Sequence, residues 1–156
     1  MNPIAIRLLN QQLICQEFTS PTEVVSHLGA MQAQDYRMMR WAVAMRTKKP
    51  SGEAFKKAYN SGEIIRMHLL RCTWQLIAAK DYSWMLELCA PKILSTLNGW
   101  MKSNKISIPE DELMSVRTII EQTVGDNTNI TKEDITDSLV RHGMLMDNHR
   151  ISYHIR

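Results

Sequence analysis

Cysteine and histidine are both sparse in this chain of 156 residues, and neither follows the spacing of a metal site. The three cysteines, Cys15, Cys72 and Cys89, are odd in number and far apart in the sequence, which indicates a reducing compartment rather than a disulfide framework. The five histidines form no His-Glu-x-x-His pattern and no Cys/His pairing. We therefore expect neither a metal nor another cofactor.

Long hydrophobic runs are also lacking. From Met1 to Cys15 the apolar residues occur only in short groups interrupted by Asn10-Gln11-Gln12, a pattern that fits neither a signal peptide nor a membrane span. The apolar fraction of 44% is nevertheless sufficient for a hydrophobic core. The sequence predicts a globular, cytoplasmic protein of one or two small domains, with no membrane partner.

The basic residues are concentrated in one part of the chain. The net charge is only +3, but residues 36–71 contain nine Lys or Arg against two acidic residues, whereas the rest contains ten basic and fourteen acidic residues. A local positive field of this kind favours a polyanion as partner. The alternative interpretation is a solvated basic surface without a partner.

The first third of the chain predicts three helices. The first is amphipathic and reaches about Cys15. The second begins at a capping box, Ser20-Pro21-Thr22-Glu23, and ends at Gly29. The third extends from about Asp35 to Arg46. A helix, a glycine-containing turn and a second helix together are typical of a helix-turn-helix unit.

The second helix of this pair is predicted to have one packed side and one basic side. Its spacing places on the packed side Met38, Trp41, Ala42 and Met45. The opposite side collects Arg37, Arg40 and Lys48. One side would then pack against the core while the other could meet phosphate groups.

Two short apolar, β-branched segments follow, 64–70 and 73–77, and we interpret them as an antiparallel β-hairpin. A helix-turn-helix followed by a hairpin defines a winged helix. Asp81 then begins a long helix, in which Trp84 is predicted to be buried and Pro91 to cause a kink or restart. The first unit, 1–101, would include this connecting helix.

The second unit, 106–156, repeats the helical part of the pattern. One predicted helix follows the acidic turn at 109–112, another begins at Thr131, and Gly143 separates it from a third that begins at Asp147-Asn148. No hairpin follows. An incomplete winged-helix unit suggests a fragment of a longer protein, or a homodimer in which this unit borrows a neighbour.

The strongest candidate site lies in the connection before the third helix. Gln32 and Gln34 are separated by one residue and directly precede the helix that carries arginines. A glutamine amide has two donor hydrogens and an acceptor oxygen, all of which need partners if it is buried. The pair therefore predicts a site, although the two amides could instead bond the backbone and hold the helix pair together.

Several segments resemble one known family. They are Ser20 to Tyr36 with its Gln32-Ala33-Gln34 motif, Trp41-Ala42, Arg46, Arg71-x-Thr73-Trp74, Asp81 to Leu88, and the stretch around His149-Arg150. The resemblance is to the winged-helix DNA-binding family that includes bacterial alkylpurine DNA glycosylases, whose signature is glutamine-x-glutamine. Members with a glycosylase record are usually more than twice as long, so only an N-terminal portion would be present.

The resemblance implies excision of alkylated purines from duplex DNA, with Gln32 and Gln34 as catalytic residues that position a water. An alkylated base leaves with a positive charge already in place, so a strong general acid is not needed. Cys72 and Gln75 depart from the family pattern, in which glycine and histidine are usual. Asp35 is adjacent to the motif, but we interpret it as a helix N-cap.

Double-stranded DNA is the expected partner. The residues predicted to contact it are Arg37, Arg40, Arg46, Lys48, Lys49, Arg66 and Arg71. Phosphate contacts of this kind would position DNA without reading its sequence. Two functions stay open, a DNA-repair glycosylase and a non-catalytic winged-helix DNA-binding module in which the glutamines are structural. A protein-interaction module without DNA affinity is a third, because the net charge is low.

Overall fold

The computed structural model describes residues 2–125 and 129–144, and within them the chain is mainly helical with one small antiparallel sheet. In chain order the elements are α1 (Pro3–Asn10), α2 (Pro21–Leu28), β1 (Met31–Gln32), α3 (Tyr36–Ala44), α4 (Gly52–Asn60), β2 (Ile64–His68), β3 (Trp74–Ala78), α5 (Tyr82–Ser103), α6 (Glu110–Gly125) and α7 (Lys132–Arg141). The chain divides into two compact units, Met1–Leu94 and Ser95–Arg156. The expectation of a mainly helical fold with a short hairpin is confirmed.

Helix α1 is shorter than predicted and contributes no residue to the core. It ends at Asn10, and none of its residues is buried. Gln12 leaves the helical conformation with a φ of 56°, and its buried side chain accepts a hydrogen bond from the Glu17 backbone N–H at 2.8 Å. The glutamine therefore turns the chain where continued apolar periodicity predicted more helix.

The predicted capping box begins α2. Ser20 Oγ accepts from the Glu23 backbone N–H, and the Glu23 carboxylate accepts in return from the Ser20 backbone N–H at 2.9 Å. Val24 and Val25 are completely buried. The helix ends at Gly29, whose φ of 74° lies in the region that disfavours a side chain.

The sheet has the strand order β1-β3-β2, and both pairings are antiparallel. The predicted hairpin is confirmed as β2 and β3, joined by a single 3₁₀ turn at Leu70–Cys72. In that turn both Arg71 and Cys72 have positive φ, 55° and 56°, which explains physically why glycine suits the Cys72 position. Strand β1 was not predicted, because two residues are too few for a periodic signal.

The two faces of the sheet pack against different apolar clusters. On one side, α2, α3 and α4 supply a core that includes Val25, Val43, Phe55 and Leu76. On the other side lies a smaller cluster of Leu69, Ile77, Met85 and Cys89. The segment that carries the glutamine motif packs on the core formed by α2, α3 and α4, and its other side faces solvent.

The predicted orientation of α3 is wrong. Its buried residues are Met39, Val43 and Ala44, whereas Met38 is 57% and Trp41 60% exposed. The helix carries apolar residues on nearly every side, so the sequence alone allowed two choices of packed face. In addition, α2 and α3 are not joined by a short turn, because the connection between them contains β1.

Trp84 was also predicted to be buried, and it is 52% exposed. In this part of α5 the residues that pack are Met85 and Cys89, and the Trp84 indole N–H donates to the Asp81 carboxylate at 3.0 Å. The helix continues through Pro91 without a restart. Among the described residues no helix, α5 included, is both long enough and apolar enough to cross a membrane.

In the second unit, α6 and α7 pack through Val116, Ile119 and Leu139. A capping box between Thr131 and Asp134 begins α7, as predicted. Val124 and Val140 are about half exposed. The helix predicted from Asp147 lies outside the described residues, and the domain boundaries proposed from the sequence stay a prediction.

Candidate functional site

The Gln32-Ala33-Gln34 segment alternates between core and solvent. Met31 and Ala33 are buried in the core beneath the sheet, while Gln32 and Gln34 are exposed. Successive side chains of an extended backbone point to opposite sides, so residues two apart share a side. The spacing of the motif therefore places both amides together, away from the core.

Gln32 lies in β1 opposite Gln75 of β3. Across residues 2–125 and 129–144, no hydrogen bond involves the Gln32 side chain. Gln75, by contrast, is buried and donates its side-chain N–H to Thr73 Oγ1 at 2.8 Å. Gln32 thus retains two donor hydrogens and an acceptor oxygen for a ligand.

Gln34 has a different environment. Its side-chain oxygen accepts a hydrogen bond from the Trp74 backbone N–H at 3.3 Å. Because a backbone N–H can only donate, this contact fixes which end of the amide faces β3. The NH₂ end of Gln34 is then the end that can meet a ligand.

Arg66 of β2 holds the backbone of the motif. Its Nε donates to the Ala33 carbonyl at 2.9 Å, and its Nη2 donates to the Gln34 carbonyl at 3.4 Å. The guanidinium also stacks on the Trp74 indole, 4.2 Å from the ring centroid. Arg66 was predicted from the sequence to contact DNA, and the structure shows its Nε and Nη2 donating to the backbone of the motif.

Asp35 caps α3. Its carboxylate accepts from the backbone N–H groups of Arg37 and Met38, both at 2.8 Å. This agrees with its interpretation as an N-cap. The carboxylate is thus fixed at the end of the motif, at the start of the helix that carries Trp41.

A cavity of about 560 Å³ opens beside the motif. Its lining consists of Gln11, Leu28, Ala30, Met31, Gln32, Gln34, Asp35, Met38, Met39, Trp41, Ala42 and Arg46. We call it the glutamine groove. It joins polar amides with an exposed indole, a combination suited to a flat, polar-edged ring such as a nucleobase.

Arg46 supports the far side of the glutamine groove. Its guanidinium donates to the Gln11 carbonyl at 2.9 Å and to the Ala42 carbonyl. Partial burial lowers the pKa of this guanidinium. These bonds tie the segment after α1 to α3, so part of the predicted DNA-contacting capacity of Arg46 is used within the protein.

Trp41 and Met38 are the functional candidates that sequence reasoning missed. Both were assigned to the core, yet both lie exposed at the rim of the glutamine groove. A second cavity, of about 430 Å³, is also lined by Asp35, Met38 and Trp41, together with Arg37. The sequence did contain a signal for this exposure, because α3 has more apolar residues than one packed side can bury.

The remaining predicted DNA-contacting residues are placed as follows. Arg37, Lys48, Lys49 and Arg71 are exposed, while Arg40 is partly buried with its guanidinium 5.7 Å from the centre of the Tyr36 ring. The structure therefore leaves four of the seven predicted cations on the open surface.

In the part of the chain that the structure describes, no cluster of three or more His, Cys, Asp or Glu could hold a metal.

Comparison with known proteins places the chain in a family. A family model described as "DNA glycosylase AlkZ-like" matches residues 25–150, and the chain belongs to this AlkZ-like family. The fold is similar to that of the Streptomyces sahachiroi DNA glycosylase AlkZ, with a TM-score of 0.67 at 17% sequence identity. The match covers 96% of this chain and 38% of that protein. No curated protein matches the sequence.

Proposed function

We propose that this chain acts in DNA repair as a glycosylase that excises alkylated purines from duplex DNA. The observation that carries the proposal is the amide of Gln32, which has no hydrogen bond within the described part of the chain. It lies beside the oriented amide of Gln34, in a groove with an exposed tryptophan. Family membership supports the same chemistry. Because the chain spans 38% of the length of the matched glycosylase, its activity as a separate protein stays a proposal.

The two amides would position the attacking water through different hydrogen bonds. Gln34, whose oxygen is bonded to Trp74, offers NH₂ donors to the oxygen of the attacking water. Gln32 can accept a hydrogen bond from the same water. As the glycosidic bond breaks, its electron pair moves to the base and neutralises the positive charge of that base. The water oxygen bonds to C1′ and releases its proton to solvent, so positioning replaces strong acid catalysis.

An alkylated purine inside a duplex cannot reach this groove, so it would have to leave the base stack first. Trp41 offers an indole face to such a base, and a cationic ring is attracted by an aromatic face. The exposed cations Arg37, Lys48, Lys49 and Arg71 would contact the phosphates on either side.

We further propose that α2, α3, α4 and the sheet form a winged-helix unit.

The test is release of free 7-methylguanine from a methylated duplex, measured by chromatography of the liberated base. We expect the unmodified chain to release the base from methylated DNA and to release no guanine from unmethylated DNA. Binding to DNA without base release would contradict the glycosylase and favour the non-catalytic module. Absence of both binding and release would contradict DNA repair altogether.

One observation favours that second function, a non-catalytic DNA-binding module. The bond between the Gln34 oxygen and the Trp74 backbone gives Gln34 a structural role that requires no substrate. Gln32 has no comparable bond among the described residues, so a purely structural account leaves it unexplained. This asymmetry is the reason why we prefer the enzyme.

A further inference from the structure

The end of β1 has little support from the sheet itself. Its ladder with β3 contains only Met31–Leu76 and Gln32–Gln75, followed by one more bond from the Ala33 N–H to the Trp74 carbonyl at 2.9 Å. The carbonyl groups of Ala33 and Gln34 fall beyond this ladder. A glutamine on such a short strand would not keep one position unless other contacts fixed its backbone.

Arg66 supplies those contacts. Its guanidinium reaches both carbonyls from β2, across the strand that separates β2 from β1. Arginine donors lie in one rigid plane, so two bonds from the same guanidinium fix the relative position of the two peptide groups. Neither a lysine nor a neutral amide could reproduce that geometry.

Trp74 connects the same guanidinium to the Gln34 side chain. The Arg66 guanidinium stacks on the Trp74 indole, 4.2 Å from the ring centroid. His68, which lies opposite Trp74 in the β2–β3 ladder, contacts the same indole with ring centroids 3.9 Å apart. The Trp74 backbone N–H then donates to the Gln34 oxygen. Arg66 therefore holds the motif through its backbone and also through the residue that orients Gln34.

We infer that Arg66 is a positioning residue for the glutamine pair and not a contact for DNA phosphate. The inference rests on the proposed function, because it assigns Arg66 to the chemistry of the glutamine groove. It also makes a structural claim that holds for the free protein. The backbone at Ala33 and Trp74 should lose order when the guanidinium is removed.

The experiment compares Arg66→Met, Arg66→Lys and the control Arg117→Met, which removes the same charge from an exposed position on α6. We expect Arg66→Met to lower the single-turnover rate of 7-methylguanine release by about 10- to 100-fold, within the range known for disturbed positioning. Duplex affinity and its salt dependence should change less than twofold. Arg66→Lys should restore little of the rate, and Arg117→Met should leave the rate unchanged.

A phosphate contact would give the opposite pattern. Arg66→Met would then weaken binding, reduce the slope of log K against log salt by about 0.9, and be rescued by lysine. That result, or an unchanged rate in Arg66→Met, would overturn the inference. Thermal unfolding of each variant identifies any loss of rate that comes from unfolding alone.

Amide hydrogen exchange separates failure of the inference from failure of the proposed function. In Arg66→Met we expect faster exchange at the Ala33 and Trp74 amides, with the core amide of Ile77 unchanged. If the unmodified chain releases no base, the glycosylase proposal fails, but this exchange pattern still tests the role of Arg66. Unchanged exchange at Ala33 and Trp74 would overturn that role.

Discussion

The side-chain oxygen of Gln34 accepts a hydrogen bond from the backbone N–H of Trp74 at 3.3 Å. This bond fixes the amide so that its NH₂ end is left for the glutamine groove. The two glutamines of the motif are therefore not equivalent, since one is oriented by the sheet and the other is unpartnered within the described chain.

Gln34→Glu tests the importance of the NH₂ end. A carboxylate can still accept from the Trp74 N–H, so we expect the free energy of unfolding to change by less than about 1 kcal/mol. It cannot donate to a water oxygen, and we expect base release to fall more than tenfold. Chemical denaturation and single-turnover kinetics measure the two effects. Full activity in Gln34→Glu would contradict the assigned orientation.

Trp41 is expected to contribute to binding and not to folding. It is 60% exposed, so Trp41→Ala should leave the unfolding transition nearly unchanged. Loss of one base-stacking indole should weaken binding to a duplex with an abasic-site analogue by about 1–3 kcal/mol. Trp84→Ala is the control, because that indole is 52% exposed on α5 and does not line the glutamine groove. Equal losses of affinity in both variants would argue against a role for Trp41.

The exposed cations after α3 should act through counterion release. Replacing Lys48 and Lys49 with Gln should weaken binding to every duplex alike and reduce the salt slope by about 0.9 for each lost phosphate contact. Arg117→Gln removes one charge from the exposed ion pair with Glu121 in the second unit and serves as the control. Fluorescence anisotropy across a salt series gives both quantities. An unchanged salt slope would show that Lys48 and Lys49 do not contact DNA phosphates.

The capping box of α2 predicts a pH-dependent contribution to stability. Hydrogen bonds from the backbone N–H groups of Ser20 and Thr19 lower the pKa of Glu23. Its stabilising effect is therefore complete above the pKa of an unfolded glutamate, about 4.3, and is lost as pH falls through the lower pKa of the folded state. Glu23→Gln should lower Tm at pH 7, and the difference should disappear as pH falls through the lowered pKa of the folded state.

Glu53→Gln is the matched control for this measurement, because Glu53 lies in the first turn of α4 while the capping bond there comes from Ser51. Thermal melts monitored by circular dichroism at pH 7 and pH 3 provide the comparison. A Tm difference between Glu23→Gln and the unmodified chain that persists at acid pH would show that the effect does not come from the carboxylate.

Local chemical signals in the sequence predicted the parts of the fold that depend on neighbouring residues. Ser20 and Glu23 specify a helix start, and Asp35 specifies another, because the bonding groups are only three residues apart. The hairpin was predicted for the same reason, since its two strands are adjacent in sequence.

The packing of α3 could not be obtained in this way. Trp41 and Met38 are apolar, and only the positions of α2, α4 and the sheet decide that Met39 and Val43 face the core instead. Strand β1 and the bonds of Arg66 depend on partners more than thirty residues away, and no local pattern encodes them. The glutamine motif was identified from its chemistry, but its geometry required the sheet.

The central claim is that the glutamine groove is the catalytic site, and the single-turnover rate of 7-methylguanine release in Gln32→Ala tests it most directly. Gln11→Ala makes the same chemical change at another residue that lines the groove. We predict that Gln32→Ala lowers the rate at least 100-fold with unchanged Tm and duplex affinity, while Gln11→Ala stays within about threefold of the unmodified chain. Equal rates in Gln32→Ala and the unmodified chain would contradict the claim.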